Sequence, residues 1–222
     1  MDSSGGPAVN DVSRHAVLIE PDGRLREMVL AWKSRAATQW PSAAYVGHPP
    51  HSTVWAGDVA DLAGGEHALR EAASRVREFR IDGHFPYVFY DDALTGGGHT
   101  CAFAAALTDD LARLQYAISD ALRDHREPVR DGQLPWPLRR EPFLRSWREY
   151  GFPFVGPHWI PHFTVASVPL RQDDPFIAEF LASAAPRQVA VRELSWWRIT
   201  GERHERLASM RLAPRIPERT GS

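Results

Sequence analysis

Apolar residues recur along the chain with two periods, one typical of amphipathic helices and one typical of β-strands. The helical period is clearest in residues 109–126, where Leu111, Leu114, Ile118 and Leu122 share one face behind an acidic first turn. Because the two periods interleave with hairpin-like turns, we expect an α+β fold with largely antiparallel sheets. Another helix is predicted to begin after Asp22 and to carry Leu25, Met28, Val29 and Trp32. Further helices are predicted in 64–79, 141–150 and 174–185, and strands in 14–21, 51–57, 84–92, 99–107, 162–168, 188–200 and 205–213.

The connections and ends of the chain lack these periods. Residues 127–161 form a long irregular connection rich in Pro, Trp and Phe. A connection of this length either forms a lid or binding wall or wraps the core, and the sequence leaves both open. Residues 1–12 and 214–222 are rich in Gly, Ser and Pro, so we expect flexible ends around one domain at 13–213.

Composition limits the class of protein. With 43% hydrophobic residues, no membrane-length apolar run and no signal-like start, the chain is expected to be a cytoplasmic protein, monomeric and without a membrane partner. A formal charge of −2 argues against binding a long nucleic-acid tract. Nearly all basic residues are arginine, and Lys33 is the only lysine. Cys101, the only cysteine, excludes an internal disulfide and lies in an apolar run, which favours a core role over a nucleophile.

A pentapeptide occurs twice with one difference, at its third position. "PHSTV" occupies residues 50–54 and "PHFTV" occupies residues 161–165, so the two histidines lie 111 residues apart, half the chain length. In a strand, His51 and Thr53 point to one face, and His162 and Thr164 do the same. The repeat predicts two pseudo-symmetric lobes, each an antiparallel sheet with outer helices, that bring the four side chains together in a central cleft.

Two imidazoles and two hydroxyls suit the hydrolysis of a phosphodiester. One neutral histidine can accept a proton from water while the other, protonated, donates to the departing oxygen, because an ordinary histidine pKa near 6.5 lets both forms coexist. The threonine hydroxyls would hold the phosphate oxygens. This chemistry needs neither metal nor cofactor.

The two motifs resemble those of the two-histidine (2H) phosphoesterase superfamily, which includes 2′-5′ RNA ligase-like proteins and cyclic nucleotide phosphodiesterases. Its His-x-Thr/Ser-hydrophobic signature matches His51-Ser52-Thr53-Val54 and His162-Phe163-Thr164-Val165. The resemblance implies a bilobal fold and metal-independent hydrolysis of a 2′,3′-cyclic phosphate or a related small nucleotide or RNA-end phosphodiester. It implies His51 and His162 as acid and base, and Thr53 and Thr164 as phosphate ligands.

Aromatic residues near the motifs are candidates for stacking on a nucleobase. Trp55 would share the face of His51 and Thr53 if β-alternation continues, and Tyr90 and Trp159 lie in neighbouring predicted elements. Trp55, Tyr90 and Trp159 are therefore candidates for substrate binding, and the alternative for each is a place in the hydrophobic core.

Three other functions remain open at this point. Four imidazoles, His48, His51, His158 and His162, could meet at one zinc ion if the lobes face each other. A nucleotide- or RNA-binding module could keep the cleft without turnover. A phosphoesterase of a specialised pathway could act on a phosphorylated or phosphonate metabolite.

Overall fold

The computed structural model describes residues 14–185, 188–201 and 203–215. The predicted flexible segment 1–12, and residues 216–222 of the predicted tail, lie outside the described residues. The elements follow in the order β1 (Arg14–Ile19), α1 (Gly23–Gln39), β2 (Ser52–Gly57), α2 (Leu62–Arg75), β3 (Phe79–Asp82), β4 (Phe85–Asp92), β5 (Gly98–Ala104), α3 (Asp109–Leu122), α4 (Phe143–Tyr150), β6 (His162–Val168), α5 (Pro175–Leu181), β7 (Gln188–Val191), β8 (Glu193–Thr200) and β9 (Arg203–Arg211).

The strands form antiparallel sheets, so the predicted α+β class is confirmed. One sheet has the order β2-β1-β8-β9, a second has the order β4-β5-β6, and β3 pairs with β7. Helices α2 and α3 pack on the first sheet, while α1 and α5 pack on the second. Each sheet therefore has its own helical cover.

The two motif strands occupy equivalent places in their sheets. β2 is an edge strand of the first sheet, β6 is an edge strand of the second, and the two strands contact each other. An edge strand leaves one row of backbone groups unpaired and open to other contacts. The histidine-containing segments thus meet where the two sheets meet.

One hydrophobic core runs through the described residues. The predicted face of α3 supplies four fully buried side chains, and Cys101 is also fully buried, which confirms its predicted core position. Residues 127–161 wrap this core: Trp147 and Phe152 are buried, and Gln115 Nε2 donates to the Phe154 carbonyl over 2.7 Å. This segment therefore stabilises the fold through packing.

Some predicted boundaries are wrong. The helix predicted at 64–79 ends at Arg75, because Phe79 and Ile81 alternate with exposed Arg80 and Asp82 and form β3. The run at 188–200 is two strands, β7 and β8, in different sheets. In the described part of the chain, no helix combines the length and apolarity needed to cross a membrane.

Candidate active site

Both motif histidines are anchored in the same way. His51 Nδ1 lies 2.7 Å from the Pro49 carbonyl oxygen, and His162 Nδ1 lies 2.7 Å from the Ile160 carbonyl oxygen. A carbonyl oxygen can only accept, so each Nδ1 must carry the proton and donate it. In the neutral ring, Nε2 is then the basic nitrogen of each histidine.

A proline lies between each histidine and the carbonyl that it binds. Pro50 precedes His51, and Pro161 precedes His162. The pyrrolidine ring fixes φ near −65°, which restricts the backbone between the imidazole and its acceptor. The proline in each "PH-x-TV" repeat therefore has a local structural reason, and the two rings receive the same tether.

A β-bulge follows each motif threonine. In β2, Thr53 pairs with Leu18 and Trp55 pairs with Val17, so Val54 is an extra residue without a partner. An extra residue shifts the alternation of the strand beyond it. The expectation that Trp55 shares the face of Thr53 is therefore wrong.

The bulge in β6 falls at the same motif position. Thr164 pairs with Ala102 and Ala166 pairs with Cys101, which leaves Val165 unpaired. The two motifs therefore share a bulge at the same position as well as a similar sequence. In both strands the polar His-x-Thr face ends at the bulge, and the following residues turn into the core.

The two motif threonines have similar surroundings. Thr53 and Thr164 are half-buried, whereas Ser52, Phe163, Val54 and Val165 beside them are buried. Neither threonine hydroxyl has a hydrogen-bond partner within the part of the chain that the structure describes. Both hydroxyls are consequently available to a bound group.

The histidines differ in electrostatic surroundings. Burial lowers the pKa of His51 to about 3; the Pro49 carbonyl opposes this, and the positive charges of His48, Lys33 and His204 add to it. Burial also lowers the pKa of His162, but there the Ile160 carbonyl and the Asp92 carboxylate both raise it. His51 therefore favours the neutral form, while the nearby carboxylate helps His162 to hold a proton.

Further imidazoles surround His51. The His48 ring lies 6.4 Å from the His51 ring in a stacked arrangement and 4.3 Å from the His204 ring. Tyr45 packs edge-on against His48, with 5.4 Å between ring centroids. Burial, together with the charges of His204 and Lys33, lowers the pKa of His48 to about 4.

An aromatic row extends from His162 along β4. The Phe89 ring lies 4.8 Å from the His162 ring, Tyr87 lies 4.9 Å from Phe89, and Phe85 lies 6.3 Å from Tyr87. All three rings retain solvent exposure, and Phe85 is 44% exposed. Sequence reasoning missed this row, although the alternation of aromatic residues at 85, 87 and 89 was a visible signal.

The three aromatic residues expected to contact substrate lie elsewhere. Trp55 is fully buried and its Nε1 donates to the Tyr150 carbonyl over 2.9 Å, and Trp159 is also buried in the core. Tyr90 is exposed, but it follows Phe89 in β4 and packs against His99. Successive strand residues point to opposite faces, so Tyr90 does not belong to the row beside His162.

The four-histidine zinc site is not formed. His158 Nε2 lies 2.9 Å from the Pro153 carbonyl oxygen and 3.2 Å from Ser146 Oγ, within the wrapping segment. His158 is therefore held within residues 127–161, while His48 lies beside His51 and His204. Over the described ranges, no group of three or more His, Cys, Asp or Glu residues is arranged to hold a metal ion.

A separate cavity of about 260 Å³ lies at the other end of β2. Its walls include Gly57, Asp58, Arg126 and Trp147, and neither motif histidine lines it. His51 lies just before the start of β2, whereas Gly57 and Asp58 lie at its end. This cavity is therefore distinct from the candidate site around His51 and His162.

Comparison with known proteins identifies similar structures at low sequence identity. A crystal structure described as a phosphoesterase is 15% identical, covers 90% of this chain and 98% of its own, and has a TM-score of 0.50. TT0787 of Thermus thermophilus is 14% identical, with 91% and 100% coverage and a TM-score of 0.50. E. coli LigT complexed with NADP+ is 13% identical, with 92% and 99% coverage and a TM-score of 0.49.

No protein-family model and no curated protein sequence matches the chain. At these identities the likeness establishes the fold. TT0787 belongs to the 2H phosphoesterase superfamily that the paired motifs resemble. The chain therefore has the fold of the two-histidine phosphoesterases.

Proposed function

We propose that the protein is a metal-independent phosphodiesterase that hydrolyses a 2′,3′-cyclic phosphate or a related small nucleotide or RNA-end phosphodiester. The observation that carries this proposal is the equivalence of the two motifs. Each histidine is tethered through Nδ1 to a carbonyl oxygen 2.7 Å away, which leaves Nε2 for proton transfer. Each histidine is accompanied by a threonine hydroxyl without a described partner.

The electrostatic difference between the histidines supports a division of roles. Neutral His51 accepts a proton at Nε2 from a water molecule as the water oxygen forms a bond to phosphorus. Protonated His162 donates from Nε2 to the ribose oxygen as its bond to phosphorus breaks. Thr53 and Thr164 donate hydrogen bonds to the non-bridging oxygens, and solvent exchange restores both protonation states.

The aromatic row on β4 supports a nucleotide or RNA end as substrate. Phe89 is next to His162, and Tyr87 and Phe85 continue the row away from the histidine. Nucleobases stack on partly exposed aromatic rings with little dependence on base identity. A ribose phosphate between the histidines would place its base on the His162 side of the cleft.

The test is hydrolysis of nucleoside 2′,3′-cyclic monophosphates by purified protein in the presence of a chelator. We expect His51→Asn and His162→Asn each to lower kcat by about 10²- to 10⁴-fold, the usual contribution of a general acid or base. His67→Asn, at an exposed position of α2, is the matched control and should retain wild-type turnover. Circular dichroism melting would verify that all variants fold.

Three results would change the conclusion. Near-normal turnover in either motif variant would remove the shared acid and base pair. Saturable nucleotide binding without hydrolysis by wild type would favour a binding module. Turnover of wild type that disappears with the chelator and returns with a divalent ion would replace the metal-independent mechanism.

A further inference from the structure

The only lysine of the chain is buried in the second half of α1. Lys33 is 5% exposed, and α1 packs against the motif strand β6. A lysine at such a site cannot serve solubility, the usual use of this residue on a surface. Within the residues that the structure describes, no carboxylate forms an ion pair with Lys33.

The Lys33 ammonium group binds two segments of backbone. Nζ donates to the Val165 carbonyl oxygen over 2.7 Å and to the Tyr45 carbonyl oxygen over 2.6 Å. Val165 is the bulge residue directly after Thr164, and the regular pairing of β6 with β5 skips it. Lys33 therefore stabilises the irregular backbone of the second motif.

The other bond leads to the first motif. Tyr45 has a φ of +68°, a left-handed conformation that is uncommon for a residue with a bulky side chain. Its carbonyl oxygen also accepts from the His48 backbone N–H over 3.1 Å, which closes a turn that runs directly into His51. The Lys33 ammonium group thus connects the turn before the first motif with the bulge in the second motif.

The charge of Lys33 also reaches the site. It lowers the pKa of both His48 and His51. A buried cation is costly unless dipoles or an anion compensate it. Two carbonyl oxygens give partial compensation, and a phosphate bound between the motifs would give more.

We propose that Lys33 is a positioning residue that fixes the two His-x-Thr segments relative to each other and provides a positive charge behind the phosphate subsite. The second part rests on the proposed phosphodiesterase function. The first part depends only on the two carbonyl bonds.

The proposal makes the titration of Lys33 a direct readout. Burial lowers the pKa of Lys33 to about 8. Its charge acts on His48 and His51, on which His204 also acts, and Asp92 acts on Tyr45 from the second sheet. Bound phosphate adds negative charge and should raise the pKa of Lys33.

Because the chain has a single lysine, [¹³Cε]lysine labelling of tag-free protein gives one NMR signal. We expect this signal to titrate well below an ordinary lysine, and its midpoint to rise when inorganic phosphate is added. An ordinary midpoint that phosphate does not change, at a concentration that saturates the His51 and His162 signals, would overturn the electrostatic part. Failure of phosphate to bind at all would count against the proposed function as well.

A pair of variants tests, without substrate, whether the charge of Lys33 acts on His51. Lys33→Met should raise the pKa of His51, measured from its imidazole NMR signals, by about 0.5 to 1 unit, because one nearby positive charge is removed. His162 is an internal control, since Lys33 is not among the charges that act on it. Arg26→Met removes the same charge from an exposed position of α1 and should change neither histidine.

Lys33→Met should also lower turnover by about 10²-fold if the two segments shift, because a small misplacement of catalytic groups reduces the rate by this factor. A folded Lys33→Met protein with an unchanged His51 pKa would refute the proposal whether or not the protein is a phosphodiesterase. If Lys33→Met does not fold, the labelled wild-type lysine still decides the electrostatic part.

Discussion

At the scale of the residue, two histidines with the same sequence context become chemically different through their neighbours. His51 lies near His48, Lys33 and His204, whose protonated forms lower its pKa, whereas His162 lies near Asp92, whose carboxylate accepts from Thr100 Oγ1 over 2.6 Å. The sequence made both histidines candidates for either role. Under the proposed mechanism, the surrounding charges, which come from distant parts of the chain, favour His51 as base and His162 as acid.

The aromatic row gives a prediction for a single ring. Phe89→Ala should weaken nucleotide binding by about 1 to 3 kcal/mol, the usual value of one stacked base, and should raise KM more than it lowers kcat. Tyr90→Ala is the matched control, because Tyr90 is adjacent in sequence and packs on His99 instead. Steady-state kinetics on a nucleoside 2′,3′-cyclic monophosphate measure both. An equal rise in KM for the two variants would exclude selective stacking on Phe89.

At the scale of the element, the decisive feature is a bulge one residue after each motif threonine. Val54 and Val165 are the extra residues, and in each strand the next residue turns into the core. Because of this shift, Trp55 points toward residues 127–161. The indole N–H of Trp55 donates to the Tyr150 carbonyl and so links β2 to that segment. Strict alternation would have placed the same ring beside the histidine.

Trp55→Phe separates a structural role from a role in binding. The variant leaves the buried Tyr150 carbonyl without its donor and should lower the free energy of unfolding by about 1 to 3 kcal/mol. We expect kcat/KM to stay close to wild type, because the ring faces the core. Urea denaturation and steady-state kinetics give the two values. Unchanged stability together with a raised KM would restore Trp55 to the substrate site.

At the scale of the whole molecule, the candidate site depends on two separately covered sheets that meet at their edge strands. β2 and β6 contact each other, and Lys33 on α1 bonds to β6 and to the turn before β2. The same junction covers His48 and His51 partly, and partial burial disfavours their charged forms.

This burial predicts sensitivity to acid. His48 and His51 have folded-state pKa values of about 4 and 3, below the ordinary 6.5, so the unfolded state binds more protons in between. Their contribution to stability is complete above pH 6.5 and is lost progressively as the pH falls from 6.5 toward 4. His48→Gln should therefore lose less Tm between pH 7 and pH 4.5 than wild type does.

The control for this prediction is His67→Gln, which changes an exposed histidine of α2. Differential scanning calorimetry at a series of pH values compares the three proteins. The same loss of Tm in His48→Gln as in wild type would show that His48 does not titrate differently in the folded state.

Most of the element order could be predicted from sequence, because helical and strand periods report which face of each segment is buried. The α3 face, the β4-β5 hairpin and the α+β class follow this rule. The two motifs and their expected equivalence in space were also visible, since the repeat itself is local. The end of α2 was misplaced because the strand it runs into is only four residues long.

The sequence by itself determined the residue types of the candidate site, the proline before each motif histidine and the antiparallel α+β class. Each of these depends on neighbours within a few positions. Only the tertiary structure decided which rings line the site, since one bulge moved Trp55 to the core and alternation placed Phe89 beside His162. It also decided what the lone lysine does. Lys33 binds Val165, 132 positions further along the chain, and no local pattern can report a contact of that length.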